Sequence, residues 1–196
     1  MTHPNPFHAC EPALADRPPA GPAWMHEVKW DGYRVIARKD GDRVRLWART
    51  TSDYSGAFTR IREAVAALPV DSAVLDGEAV LLRRDNSSDF DRLRSREGQA
   101  AAILVAYDLM ELDGQDMRPE ALEERRKRLG KLHSRSNKAM RDGVQLSDAL
   151  TGDGGAIFRD ACGLGRRIIS KRIGSRYVSG RTRAWLQGRT PRFERR

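Results

Sequence analysis

The 196 residues carry 36 lysines and arginines against 27 aspartates and glutamates, a net charge of +9 with a pI near 10.1. That length fits one sizeable core or at most two small lobes. No run approaches the roughly 18 apolar residues of a membrane span, and the N-terminus lacks a basic-then-apolar leader, so a soluble, cytoplasmic protein is expected.

Residues 1–21 are rich in Pro and Ala without periodicity and read as an irregular arm. From Trp24 the pattern changes to strands: His26 to Lys39 and Arg43 to Arg49, joined by the Asp40-Gly41 turn signal. Ser55 to Leu68 is helical, with Phe58, Ile61, Val65 and Leu68 on one face. Ser72 to Leu82 reads as a strand interrupted at Asp76-Gly77, and Ala101 to Leu112 as a buried strand ending at Asp113-Gly114. Pro119 opens a further helix. A polar loop then leads to a helix near Gly154 to Leu164, stopped by Gly165. Short strands and turns complete the chain. The order β-β-α-β-β-α-α-β-β predicts an α+β fold with mixed, largely antiparallel sheets flanked by helices. Cys10 and Cys162 supply neither a disulfide framework nor metal-ligand spacing. Cys162 reads as a small core residue and Cys10 as a surface or linker thiol.

The charge is not spread evenly. From Arg166 onward eleven lysines and arginines face the single Glu194, so this end accounts for the whole cationic excess. Such an end neutralises phosphates, and it predicts salt-dependent binding to nucleic acid.

Four segments suggest chemistry. Lys29-Trp30-Asp31-Gly32-Tyr33-Arg34 sets a lysine before a tight turn. An amine of ordinary pKa, about 10.4, is protonated near neutrality. Packed among cations it loses its proton and becomes a nucleophile for phosphorus. Leu75-Asp76-Gly77-Glu78-Ala79 puts two carboxylates on one face of an apolar strand, an arrangement that demands cations or a metal. Tyr107 sits in a buried strand where it can stack on a purine. Lys171 follows two β-branched residues in Ile168-Ile169-Ser170-Lys171-Arg172.

Taken in order, these segments resemble the covalent nucleotidyltransferase superfamily of DNA ligases, RNA ligases and mRNA capping enzymes. The nearest match is the ligase domain of the bacterial ligase-D type, used in DNA end joining. AWMHEVKWDGYRVIA, RVRLWART, VLDGEAVLL, LVAYDLMELDGQDMRPEALEERRKRL and ISKRIGSRYVSGRTRAWL carry the resemblance, from Pro22 to Leu186. It implies an ATP-grasp-like adenylation domain over 22–189, a basic tail over 190–196 and no OB-fold domain. ATP and Mg²⁺ are the implied cofactors. Nicked or broken duplex DNA is the implied partner, with separate repair proteins or a clamp domain beside it. In this resemblance Lys29 is the adenylated nucleophile, Glu27 contacts adenine, and Arg34 and Arg49 hold ribose and phosphate. Glu78 serves ribose or metal with Asp76 beside it, Tyr107 stacks on adenine, and Lys171 meets the α-phosphate. Arg189 keeps the last cation of the final motif, and Arg172, Arg176, Arg181 and Arg183 are candidates for DNA phosphates.

Two departures stand out. Where the family has Glu-Gly-x-x-x-Lys, this chain begins with Arg166 and Arg167; where it has Trp-Leu-Lys-x-Lys, this chain reads Trp185-Leu186-Gln187-Gly188-Arg189. Removing one preorganised charge partner costs about 2.7–4 kcal/mol in a transition state. The alternative expectation is therefore an impaired paralogue that binds ATP or DNA ends without efficient sealing; an RNA-directed nucleotidyltransferase ranks third.

Overall fold

The computed structural model describes residues 7–50, 52–163 and 165–188. It begins with a strand where an irregular arm was expected. Strand β1 (Cys10–Ala15) lies parallel to the last strand, β10 (Gly180–Gly188), with Cys10 opposite Gly180. Pro12 hides this strand from a sequence reading, but β1 is an edge, where a missing N–H is tolerated. The stretch expected as one strand from His26 to Lys39 is two. Strand β2 (Trp24–Lys29) pairs with β9 (Arg167–Arg172), and β3 (Tyr33–Asp40) pairs with β4 (Arg43–Ala48) in a different sheet. Trp30-Asp31-Gly32 carries the chain across. Gly32 is required there because a Cβ would overlap the Ala79 carbonyl oxygen and press on Glu78 Cγ.

The first sheet runs β1-β10-β9-β2 and the second β4-β3-β5-β6-β7, where β5 is Ser72–Val80, β6 Ile103–Leu112 and β7 Gln115–Asp116. The short β8 (Val144–Leu146) adds parallel to β6. The expected hairpin turn forms with Gly41 at φ +58°; the strand end expected at Asp113-Gly114 is a hairpin into β7, with φ +47° and +81°, the left-handed pair that a two-residue hairpin prefers. Helix α1 (Thr59–Ala66) buries Ile61 and Val65 as its periodicity predicts. Helices α2 (Phe90–Leu93), α3 (Arg96–Ala101) and α5 (Lys138–Gly143) are short and carry too few turns to show a period. Helix α4 (Leu122–Arg135) and α6 (Gly154–Gly163) match expectation, and Gly165 at φ +67° ends the latter.

Strand period 2 divides the second sheet's side chains. Val35, Ala37, Ala73, Leu75 and Leu109 enter a core with α1, α4 and α5, while Ile36, Val74 and Met110 meet Trp185 and Tyr177 of the first sheet's side. Strand β6 breaks its own alternation. Asp76 pairs with Asp108 and Gly77 with Ala106, so Tyr107 is an extra residue, and Met110 is a second one. These bulges shift the parity, sending Leu109 to the helical core and Met110 towards the facing sheet.

Candidate active site

The two sheets enclose a cavity of about 450 Å³. Its wall is built on the β2–β9 ladder, where Met25 opposes Lys171, Glu27 opposes Ile169 and Lys29 opposes Arg167. Residues directly opposite in an antiparallel pair point to the same face. Glu27 and Lys171 are each 1% exposed and form the closed end, whereas Lys29 is half-buried and marks the opening. From the facing sheet come Arg34 on β3, Glu78 on β5 and Tyr107 on its β6 bulge, with Arg49 exposed just past β4. Seven positions picked from the sequence thus line one cavity: Glu27, Lys29, Arg34, Arg49, Glu78, Tyr107 and Lys171. Arg189, the eighth, lies outside the described residues, as does the 190–196 tail.

Lys29 has no ion pair within 4 Å among the described residues. Burial holds its amine below the ordinary 10.5, helped by the charges of Arg167 and Arg34 and opposed by Glu78 and Asp31. A partly desolvated, unpaired amine beside other cations loses its proton more readily than an exposed lysine does.

The other charged groups are held by partners that sequence spacing does not reveal. Arg34 grips Asp76 with Nε to Oδ1 at 2.6 Å and Nη2 to Oδ2 at 2.7 Å, and the Tyr177 hydroxyl donates to Oδ2 at 2.7 Å. Arg125, wholly buried, makes the same two-pronged contact with buried Asp108 at 2.8 and 2.8 Å, then donates to the Glu120 and Ser175 carbonyls. Glu27 Oε1 accepts from Arg126 at 2.7 Å and from Lys171 at 2.9 Å. Arg126 also holds the Tyr107 and Ser147 carbonyls. Glu27 Oε2 is buried without a hydrogen-bond partner, an acceptor that asks for a donor.

These contacts correct several expectations. Asp76, expected beside a metal, has both oxygens occupied by Arg34 and Tyr177, is fully buried and does not line the cavity. Arg34 reaches the cavity beside Tyr107, its guanidinium carbon 5.1 Å from the ring centroid, but Asp76 fixes its fork. Lys171 is engaged by Glu27, by the Tyr107 carbonyl at 3.1 Å and by the Trp185 ring at 4.0 Å. Cys10 is buried, and burial beside Asp76 pushes its thiol up to about 12. Of the departures, Arg166 turns aside, stacking over Trp30 at 5.6 Å and donating to the Asn86 carbonyl. Gln187 lines the cavity. Arg172, Arg176, Arg181 and Arg183 are all exposed.

Burial raises the Glu78 carboxyl to about 7, against the pull of Arg34 and Lys29. Its neutral form is therefore favoured by folding. That contribution is complete below the ordinary 4.5 and is lost as pH rises through about 7. Glu78→Gln is expected to raise stability at pH 8 by on the order of 2 kcal/mol, with the gain vanishing towards pH 4.5. Urea titrations at the two pH values measure it; an equal effect at both would refute the buried-acid assignment.

Among the described residues no three His, Cys, Asp or Glu side chains converge as a metal cluster.

Comparison with known proteins agrees with this geometry. The model of the ATP dependent DNA ligase domain matches residues 10–154. The chain is 36% identical over 179 residues to the multifunctional non-homologous end joining protein LigD of Pseudomonas aeruginosa, covering 89% of this chain and 21% of that protein. It is 37% identical over 174 residues to a probable DNA ligase of Sorangium cellulosum, covering 82% and 32%. A solved mycobacterial DNA ligase D, complexed with ATP and MES, superposes with a TM-score of 0.80 at 28% identity, over 93% of this chain and 60% of that one. The chain spans about a fifth of the LigD proteins it matches. With a nucleotide-sized cavity, a lysine at its mouth and a family match over most of its length, the chain belongs to the ATP dependent DNA ligase domain family.

Proposed function

We propose that this chain is the adenylation domain of an ATP-dependent DNA ligase of the end-joining type, with Lys29 as the residue that carries AMP. One observation bears most of the weight: an unpaired, partly desolvated Lys29 lines the same cavity as Tyr107 and as Glu27, whose buried Oε2 has no hydrogen-bond partner. Glu27 Oε2 accepts from the adenine amino group, and Lys171 and Arg126 hold the carboxylate in place for it. The base lies against Tyr107 at the closed end, which leaves the α-phosphate at Lys29. The amine attacks the α-phosphorus, the bond to the bridging oxygen breaks, and pyrophosphate departs with the electron pair. AMP then passes to the 5′-phosphate of a nicked or broken DNA end, and attack by the neighbouring 3′-hydroxyl joins the strands and releases AMP. Glu78 is the carboxylate that would hold a magnesium ion bound to the triphosphate, which would offset the charge on its oxygens. The exposed Arg172, Arg176, Arg181 and Arg183 neutralise DNA phosphates, a role that makes binding salt-dependent. Repair proteins or a clamp domain that encloses the duplex are the partners this reading calls for.

Incubation with α-labelled ATP and Mg²⁺ tests the reading. Label should survive denaturation, be released by acid as expected of a phosphoramidate, and move to nicked DNA in preference to nicked RNA. A protein that carries no denaturation-resistant label ends the proposal.

A further inference from the structure

The fourth motif of the family begins with a glutamate and a glycine, and the loss of the glutamate reads in the sequence as damage. The structure places the second replacement where it does something else. Lys29 and Arg167 are direct partners across the β2–β9 ladder, so their side chains leave the same face of the sheet with Cβ atoms about 4.5–5.5 Å apart. That face is the cavity face: Ile169 and Lys171, two and four positions along β9, both line the cavity. Strand period 2 therefore puts Arg167 on that same face next to the Lys29 amine, whose titration its charge lowers, just outside the residues that line the cavity.

The cations nearby are not equivalent. Asp76 holds Arg34, Glu27 holds Lys171, and Trp30 with the Asn86 carbonyl holds Arg166. Arg167 makes no side-chain hydrogen bond or ion pair among the described residues. Its five N–H donors are available in a planar fork that suits phosphate oxygens. With the base at the closed end and the α-phosphorus at Lys29, the β- and γ-phosphates extend towards the opening. Charge collects on their oxygens as the bridging bond breaks.

Resting on the lysyl-AMP reading above, we propose that Arg167 is a catalytic residue, which binds the β- and γ-phosphates of ATP and receives the departing pyrophosphate. The Lys29 Nζ–phosphorus bond forms as the phosphorus–bridging oxygen bond breaks; the electron pair leaves on pyrophosphate, where Arg167 neutralises it, and the displaced amine proton goes to water. A glycine at this position, as in the family, has nothing to offer those oxygens.

The proposal separates from mere impairment by comparing ATP with AMP, which lacks the two outer phosphates. Equilibrium binding of each nucleotide to the wild-type protein, Arg167→Gly, Arg167→Gln and Arg167→Lys is the primary measurement. The preference for ATP over AMP should fall roughly tenfold in Arg167→Gly and Arg167→Gln, recover in part in Arg167→Lys, and leave AMP affinity and the thermal midpoint unchanged. The second measurement is the reverse reaction: the pyrophosphate concentration that half-discharges a preformed adduct should rise by a similar factor. An unchanged ATP-to-AMP ratio, or faster labelling when the family's glycine is restored, overturns the assignment. A wild-type protein that prefers ATP through Arg167 yet forms no adduct upholds this site and removes the lysyl-AMP reading instead, so the two failures are distinct.

Discussion

Lys29→Arg is expected to form no covalent adenylate, a loss of more than about a thousandfold, while still binding ATP. The substitution keeps the positive charge and most of the length at the cavity mouth. It takes away the ability to shed a proton, because a guanidinium is not deprotonated in proteins. Lys29→Ala should lose the adduct equally, which separates nucleophilic from electrostatic use of the position. The pH profile sharpens the test. The Lys29 amine is held below its ordinary 10.5 by burial and by Arg167 and Arg34, so the reactive free amine is present at lower pH than in an exposed lysine. The rate of adduct formation should climb with pH and level off below the range of an ordinary lysine. Labelling of Lys29→Arg at the wild-type rate would show that another residue carries AMP.

The second large effect is on stability. Asp108→Ala is expected to cost about 3–5 kcal/mol, since it strands a buried guanidinium. That is a large share of the roughly 5–15 kcal/mol that holds a domain folded. Arg125 and Asp108 are each fully buried, and the arginine ties β6 to the Glu120 carbonyl ahead of α4 and to Ser175 after β9. The pair therefore pins the second sheet to the segment that leads into β10. Replacing both, as Asp108→Leu with Arg125→Met, should recover most of the loss, because an apolar pair leaves no unsatisfied charge. Urea unfolding of the single and double variants measures the coupling. A single variant with wild-type stability would mean that the pair is not buried as described.

What the sequence made legible was what is local. The Lys29-to-Arg34 segment, the Glu78 carboxylate and the Asp40-Gly41 and Asp113-Gly114 turns declare themselves within a few residues, and each is found where it was expected. What it concealed depends on pairing across the chain. Arg126 lies 99 positions from Glu27, and nothing in the helical pattern of α4 distinguishes the arginine that reaches the cavity from Arg128, which is exposed. Asp76 and Glu78 share a face as period 2 requires, yet Tyr177, 101 positions away, makes one a structural anion and leaves the other for the cavity. Strand β1 carries a proline and no alternation, and its hydrogen-bonding partner comes at the other end of the chain. The bulge at Tyr107 is invisible for the same reason: an extra residue exists only relative to a neighbouring strand.

The pairing of β1 with β10 also dictates when this protein becomes itself during synthesis. Cys10 meets Gly180, 170 positions later, and β2 must wait for β9. The second sheet closes through nearer neighbours, β3 with β4 and β5 with β6. Such distant contacts form late because of the entropy of closing a long loop. A nascent chain emerging from the ribosome thus displays its lysine early but acquires walls around it only when nearly all of the described residues have been made. On the proposed role of Lys29, the unfinished protein would not yet react with nucleotide.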